Sequence, residues 1–209
     1  QMTDNNITIS GGTESSQAIL GLGYLKSQSV MRYQDFEKIT MRLNSTHKVA
    51  NGLLTVGQNL TLALTGEVPE PTDLGGAGMD GLARSMQATL PVYTESGDWA
   101  GPLGAGYSDR NSPLHMLYIH RNNRDNRKMA FGNVFAELTP IQNLRLRSSF
   151  GVDYTNSHDW WVEEAYQTGF LGRAVNSLDE LNGDRMNWTF SNTATYDLTL
   201  GNSRASFLL

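Results

Sequence analysis

Four histidines, His47, His115, His120 and His158, are the first residues to question for chemistry. A zinc site needs three or four His, Cys, Asp or Glu side chains at one point, and a helix supplies two of them at i and i+4. His115 and His120 stand five apart, the wrong spacing for one helical face. His47 sits beside an expected turn and His158 at the start of an expected loop. The chain contains no cysteine, which removes thiolate ligation and a disulfide framework. Ser, His and Asp are all present, but no Gly-x-Ser-x-Gly elbow supports a hydrolase. Gly75-Gly-Ala-Gly78 lacks the Lys and Ser/Thr that complete a phosphate loop. No metal, no cofactor and no catalytic residue are therefore expected. What remains is aromatic. Trp99, with Tyr93 and Tyr107, lies in one long connection, and Trp160 and Trp161, with Tyr166 and Phe170, lie in another. The flat, electron-rich face of an aromatic ring can stack on the C–H bonds of a sugar's face. Trp and Tyr are also the residues that anchor membrane proteins at the lipid–water interface. Trp99, Trp160 and Trp161 are the candidates for substrate or partner contact, with loop packing or girdle as the competing role.

The elements that would position them read as β-strands. In Leu144–Tyr154, the residues Leu144, Leu146, Phe150, Val152 and Tyr154 fall on one face, and Arg145, Arg147, Ser149 and Asp153 on the other. Residues 186–199 repeat the pattern, with Trp188, Phe190, Ala194, Tyr196 and Leu198 opposite polar neighbours. Further strands are expected around 6–12, 17–27, 36–45, 53–65, 129–138 and from Arg204, eight in all. The same dyad period serves a half-buried strand of a soluble sandwich. The connections discriminate. They alternate between short (12–16, 46–52, 140–143, 200–203) and long (28–35, 66–128, 157–185). Short turns at one end and long loops at the other are the pattern of an outer-membrane barrel. On this reading Tyr24, Tyr154, Trp188 and Tyr196 face lipid, and Arg42, Arg145, Arg147, Glu137 and Asp153 form a solvated, mutually paired inner wall.

The connection 66–128 is too long for a structureless loop. Met79, Leu82, Ala83 and Met86 have helical spacing, with Asp80 in the first turn, and Ser112-Pro113 reads as the opening of a second short helix. Between them Pro91–Pro102 reads as a hairpin turning at Ser96-Gly97. Large apolar residues are too few there for an independent domain.

Composition closes off other classes. The 209 residues carry a net charge of −5, without the basic stripe of a nucleic-acid binder. No stretch approaches the roughly 18 apolar residues of a transmembrane helix, and mean hydropathy is −0.39; neither value argues against a barrel, whose strands are half polar. The chain begins at Gln1 and stops at Ser206-Phe-Leu-Leu209 in mid-strand, which reads as an excerpt of a longer protein.

Several stretches together carry a family resemblance. They are Ile7-Thr-Ile-Ser-Gly-Gly-Thr-Glu-Ser-Ser16, Leu20-Gly-Leu-Gly-Tyr-Leu25, Phe36-Glu-Lys-Ile-Thr-Met-Arg-Leu-Asn44, Leu90–Pro102 and Phe131–Tyr154. In order and spacing they resemble the barrel of SusC/RagA-type TonB-dependent transporters over nearly the whole chain. The resemblance implies an all-β, antiparallel transmembrane barrel of about 22 strands with a plugged lumen, of which residues 1–209 would be a partial barrel domain with 66–128 as a long extracellular loop. It further implies a place in the outer membrane of Bacteroidetes-type bacteria and import of oligosaccharides or peptides. The partners it implies are a SusD-like surface lipoprotein, TonB acting through a plug region that this chain lacks, and outer-membrane lipid. Two other readings stay open from the residues alone: a soluble or surface-attached β-rich glycan-binding module, and a small structural outer-membrane barrel.

Overall fold

The structure, a computed structural model, describes residues 1–71, 78–104, 106–107, 109–201 and 203–209. Gly75–Ala77 of the glycine-rich stretch and Asn202 of the last expected turn lie outside the described residues. Eight strands form one antiparallel sheet in the order β1 (Met2–Gly12), β2 (Ser16–Gln28), β3 (Asp35–Val49), β4 (Leu54–Glu67), β5 (Arg124–Ile141), β6 (Leu144–Glu163), β9 (Ser177–Leu200) and β10 (Ser203–Leu208). Each strand pairs with its neighbour in sequence, and the sheet is open, with β1 and β10 at its edges. A separate hairpin of β7 (Tyr166–Thr168) and β8 (Leu171–Arg173) sits between β6 and β9.

The register carries one apolar face across the whole sheet. Ile7 pairs with Leu22, Leu22 with Met41, and Met41 with Leu62. Val134 pairs with Phe150 and Phe150 with Phe190, while Val152 pairs with Trp188. The Phe150 and Trp188 rings stack at 6.3 Å, so Leu146, Phe150, Trp188 and Phe190 share one face, as the alternation predicts. The other face is polar. Asn59 donates to Asn133 at 3.0 Å, Ser149 meets Ser191 at 2.8 Å, Arg145 pairs with Asp197 at 3.1 Å and Arg147 with Glu137 at 3.6 Å. The expected mutual pairing is incomplete: Arg42 and Asp153 have no ion-pair partner among the described residues. Large apolar residues also stand on this face, among them Phe131, opposite Thr61 and Asp153, and Phe135. The Phe135 ring covers Gly57, where a Cβ would stand 2.5 Å from it, and carries the Arg147 guanidinium 3.9 Å above its centroid.

This sheet is a single layer, and among the described residues nothing packs against its apolar face. Ile7, Trp188 and Phe190 remain 63%, 65% and 58% exposed. A contiguous apolar surface of this extent is unfavourable in water and marks a face made for another apolar phase. The compact hydrophobic core lies elsewhere, in the long loops: Met79, Leu82 and Leu117 are buried together, with Met31 and Met116 against them.

Loops and turns segregate by end. Residues 13–15, 50–53, 142–143 and 201–202 join strands at one end; residues 29–34, 68–123 and 164–176 join them at the other. Asn51, Gly52 and Asn143 take positive φ, as do Ala50 and Gly201. In the largest connection, α1 (Met79–Ser85) and α2 (Pro113–Ile119) form as expected. Ser112 caps α2 through its backbone alone, its carbonyl accepting from Met116 N at 3.0 Å. Met86 ends α1 half-buried, while Met79 joins Leu82 in the core. The hairpin turns at Gly97 (φ +90°), with Tyr93 bridging Trp99.

Two expected boundaries fail for one physical reason. The long connection 157–185 is mostly strand, because β6 continues to Glu163 and β9 begins at Ser177; the connection 66–128 shrinks to 68–123. Alternation appears where a strand separates two unlike media. Beyond Tyr154 both faces are polar: Asn156 donates to Asn182 and Asp184 at 3.0 Å each, and His158 bonds Glu180 at 2.5 Å. A strand wet on both faces carries no period-2 signal.

Candidate functional site

The three long connections converge into one cap. Met31 from residues 29–34 packs on the core shared by α1 and α2. The 68–123 connection locks onto β7–β8 by backbone: Phe170 N donates to Pro102 O at 2.9 Å. Gly169 (φ +58°) lies so close that a Cβ would stand 2.0 Å from the Pro102 carbonyl oxygen. A Cβ at Gly101 would stand 2.3 Å from the Thr168 carbonyl oxygen.

Trp99 is a packing residue of this cap. Its ring lies 4.8 Å from Tyr93, 5.0 Å from His115 and 5.3 Å from Tyr118. Tyr118 in turn carries the Arg121 guanidinium at 3.9 Å. His115 is 2% exposed, its Nδ1 has no partner among the described residues, and its ring meets Tyr166 edge-on at 5.0 Å. Burial among rings disfavours its charged form and pushes its pKa down to about 4, with a smaller push from His120. His120, buried beside it, is also lowered, mainly by desolvation, and bonds Asn123 at 3.2 Å. Asn123 is fully buried and accepts from Val162 N at 2.7 Å, tying the cap to β6. The pair is thus neutral filling of the cap. Among the described residues no group of three or more His, Cys, Asp or Glu side chains gathers as metal ligands do.

Trp160 and Trp161 lie on β6, not in a loop. Strand alternation sends them to opposite faces. Trp160 follows the side of Tyr154 and His158; its Nε1 donates to Asn122 O at 3.2 Å and its ring meets His158 at 5.2 Å. Trp161 turns to the other side and lines a cleft of about 460 Å³ between the end of β6, the β7–β8 hairpin and the 68–123 connection. The structure therefore does not bring the three tryptophans together.

The cleft floor is apolar, from Met116, Ile119 and Leu171, and its rim is polar. Glu163 pairs with Arg173 at 2.5 Å, and Glu164 with Arg121 at 2.9 Å. Asp109 faces Arg110 at 3.4 Å. Asn111 donates to the Tyr166 hydroxyl at 2.8 Å and accepts from Thr168 at 2.9 Å. Glu163, Glu164, Arg173 and Asn111 are not singled out by sequence. Their partners lie tens of residues away or across a hairpin, and no local spacing marks them. Two further hollows, of about 560 Å³ and, beside Leu209, about 450 Å³, open on the apolar face of the sheet and share Ala136 and Ser148. They are relief on the surface that faces away from the polar wall.

No family model matches the sequence, and no curated protein does. Solved structures do. One is the RagAB peptide importer in its 'closed-closed' state, matched at 22% identity with a TM-score of 0.77 over 99% of this chain and 23% of that chain. Another is the RagAB peptide transporter, at 23% identity and a TM-score of 0.75 over 96% of this chain and 23% of that one. A third is the same importer in its 'open-open' state, at 22% identity and a TM-score of 0.75. The chain spans less than a quarter of the length of the solved chains it matches, and what it shares with that stretch of them is the fold.

Proposed function

We propose that the chain forms an arc of the barrel wall, with its extracellular loops, of a TonB-dependent outer-membrane importer of oligosaccharides or peptides that works with a SusD-like surface lipoprotein. The observation that carries this reading is the single-layer sheet with one continuous apolar face and every long connection at one end. A soluble sandwich would cover that face with a second sheet. Eight strands in an open sheet are an arc of the roughly 22 that surround a plugged lumen. The likeness to peptide-importer chains supports the same reading. On it, residues 1–209 are a part of one barrel domain and 68–123 is an extracellular insertion.

Sidedness tests it. These 209 residues contain no cysteine, so once any cysteine elsewhere in the full-length protein is replaced, single cysteines placed here report position. In the full-length transporter on intact cells, Ser96→Cys in the cap hairpin labels with a membrane-impermeant maleimide, and Asn51→Cys in a short turn labels only after lysis. Labelling of Asn51→Cys with protection of Ser96→Cys would invert the topology. Recovery of the protein in the soluble fraction would sink the membrane reading. Uptake of substrate that is abolished on deleting TonB checks the energy source.

A further inference from the structure

We infer that the cleft beside Trp161 is a binding subsite for a neutral saccharide unit, a deepening that rests on the importer reading above. Of the three candidate tryptophans, Trp161 alone keeps what a ligand needs. Trp99 is enclosed by Tyr93, His115 and Tyr118, and the Trp160 N–H is spent on the Asn122 carbonyl. Trp161 is 38% exposed at the cleft, and its indole N–H has no partner among the described residues. A flat, electron-rich face beside a free donor suits a pyranose ring, which offers C–H bonds on its face and hydroxyls on its edge.

The polar groups fit the same chemistry. The Tyr166 hydroxyl accepts from Asn111, which leaves its own hydrogen to donate. The carboxylates of Glu163 and Glu164 are each held by an arginine and retain further lone pairs. The rim thus presents fixed donors and acceptors together, the complement of vicinal hydroxyl groups. Among the described residues it presents no uncompensated charge: Asp109, Glu163 and Glu164 each face an arginine of this chain. A ligand bringing its own charge would give up hydration without a free counter-charge to meet it, so an ionised peptide or an acidic sugar is disfavoured. At about 460 Å³ the cleft lies within the range of small-ligand sites.

The test uses the purified full-length transporter in detergent, with neutral hexaoses of glucose, xylose and mannose as probes and a tryptic casein digest as the rival. Expected is saturable binding of at least one hexaose, with a change in tryptophan fluorescence. Trp161→Ala should weaken that binding at least tenfold. Trp161→Phe, which keeps a flat ring and the local packing, should weaken it less and abolish the fluorescence change. Trp188→Ala on the apolar face should alter neither. Unchanged affinity and fluorescence in both Trp161 variants, binding of the peptide digest alone, or no hexaose binding at millimolar concentration would each overturn the subsite. Uptake by whole cells is read separately: binding that depends on Trp161 without TonB-dependent uptake would keep the subsite and remove the importer.

Discussion

His115 is a histidine that folding holds neutral. Its native pKa, near 4, lies below the unfolded value of about 6.5. The native state therefore binds fewer protons than the unfolded state between these values, and the stability this supports is present above about pH 6.5 and lost as pH falls toward 4. Cap protection, measured by hydrogen exchange of residues 112–123, should drop by about 2 kcal/mol between pH 7.5 and 4.5. His115→Phe, which keeps a ring beside Trp99 and Tyr166, should flatten that pH dependence. An unchanged pH profile in the variant would assign the titration elsewhere. At this scale the sequence was only partly legible. Trp99, Trp160 and Trp161 were identifiable as unusual, but their separation into an enclosed ring, a tethered ring and an open one depends on tertiary neighbours. So does the neutrality of His115 and His120, which follows from burial and not from their spacing.

The strands show the opposite balance. Where the sheet divides an apolar medium from a polar one, alternation along β6 and β9 reads out directly, and the Phe150–Phe190 pairing follows from it. Where both faces are wet, the strands continue for many residues without a signature, as Asn156–Glu163 and Ser177–Arg185 do. The two faces should therefore tolerate charge very differently. Phe190→Arg places a guanidinium on the apolar face and should cost about 2–4 kcal/mol if that face meets the bilayer interior. Ser191→Arg, one residue on, joins the polar wall and should cost less than about 1 kcal/mol. Thermal stability of the full-length protein in lipid vesicles compares them. Equal losses, or a larger loss for Ser191→Arg, would mean that the wall is assigned inside out.

On the scale of the molecule, the chain separates two kinds of stability. The sheet contributes ladder hydrogen bonds and an apolar face that requires an external apolar phase, whereas the cap carries its own small core around Leu82 and Leu117. The two ends of the sheet were visible in the sequence through the alternation of connection lengths. The cap was not, because its contacts join residues 29–34, 68–123 and 164–176 across more than one strand pair. Beside the side-chain contacts of Asn111, Tyr166, Arg121 and Glu164, the seam of Gly101–Pro102 against Thr168–Phe170 is backbone against backbone, and a methyl group there has nowhere to go. Gly169→Ala combines a positive φ with a collision against Pro102 and should release the seam by roughly 2 kcal/mol or more. That release is detectable as faster protease cleavage of residues 91–102 on intact cells. Unchanged cleavage would show that the seam does not hold the cap closed.

That seam also governs how such a protein can diversify. Two loops that touch through side chains can each change while the other adapts its rotamers. Two loops that touch through main chain must keep their paths together, so they are inherited as a matched pair. Transplanting 68–123 alone from a relative should give a misassembled cap, whereas moving it with 29–34 and 164–176 should transfer a working head onto an unaltered wall.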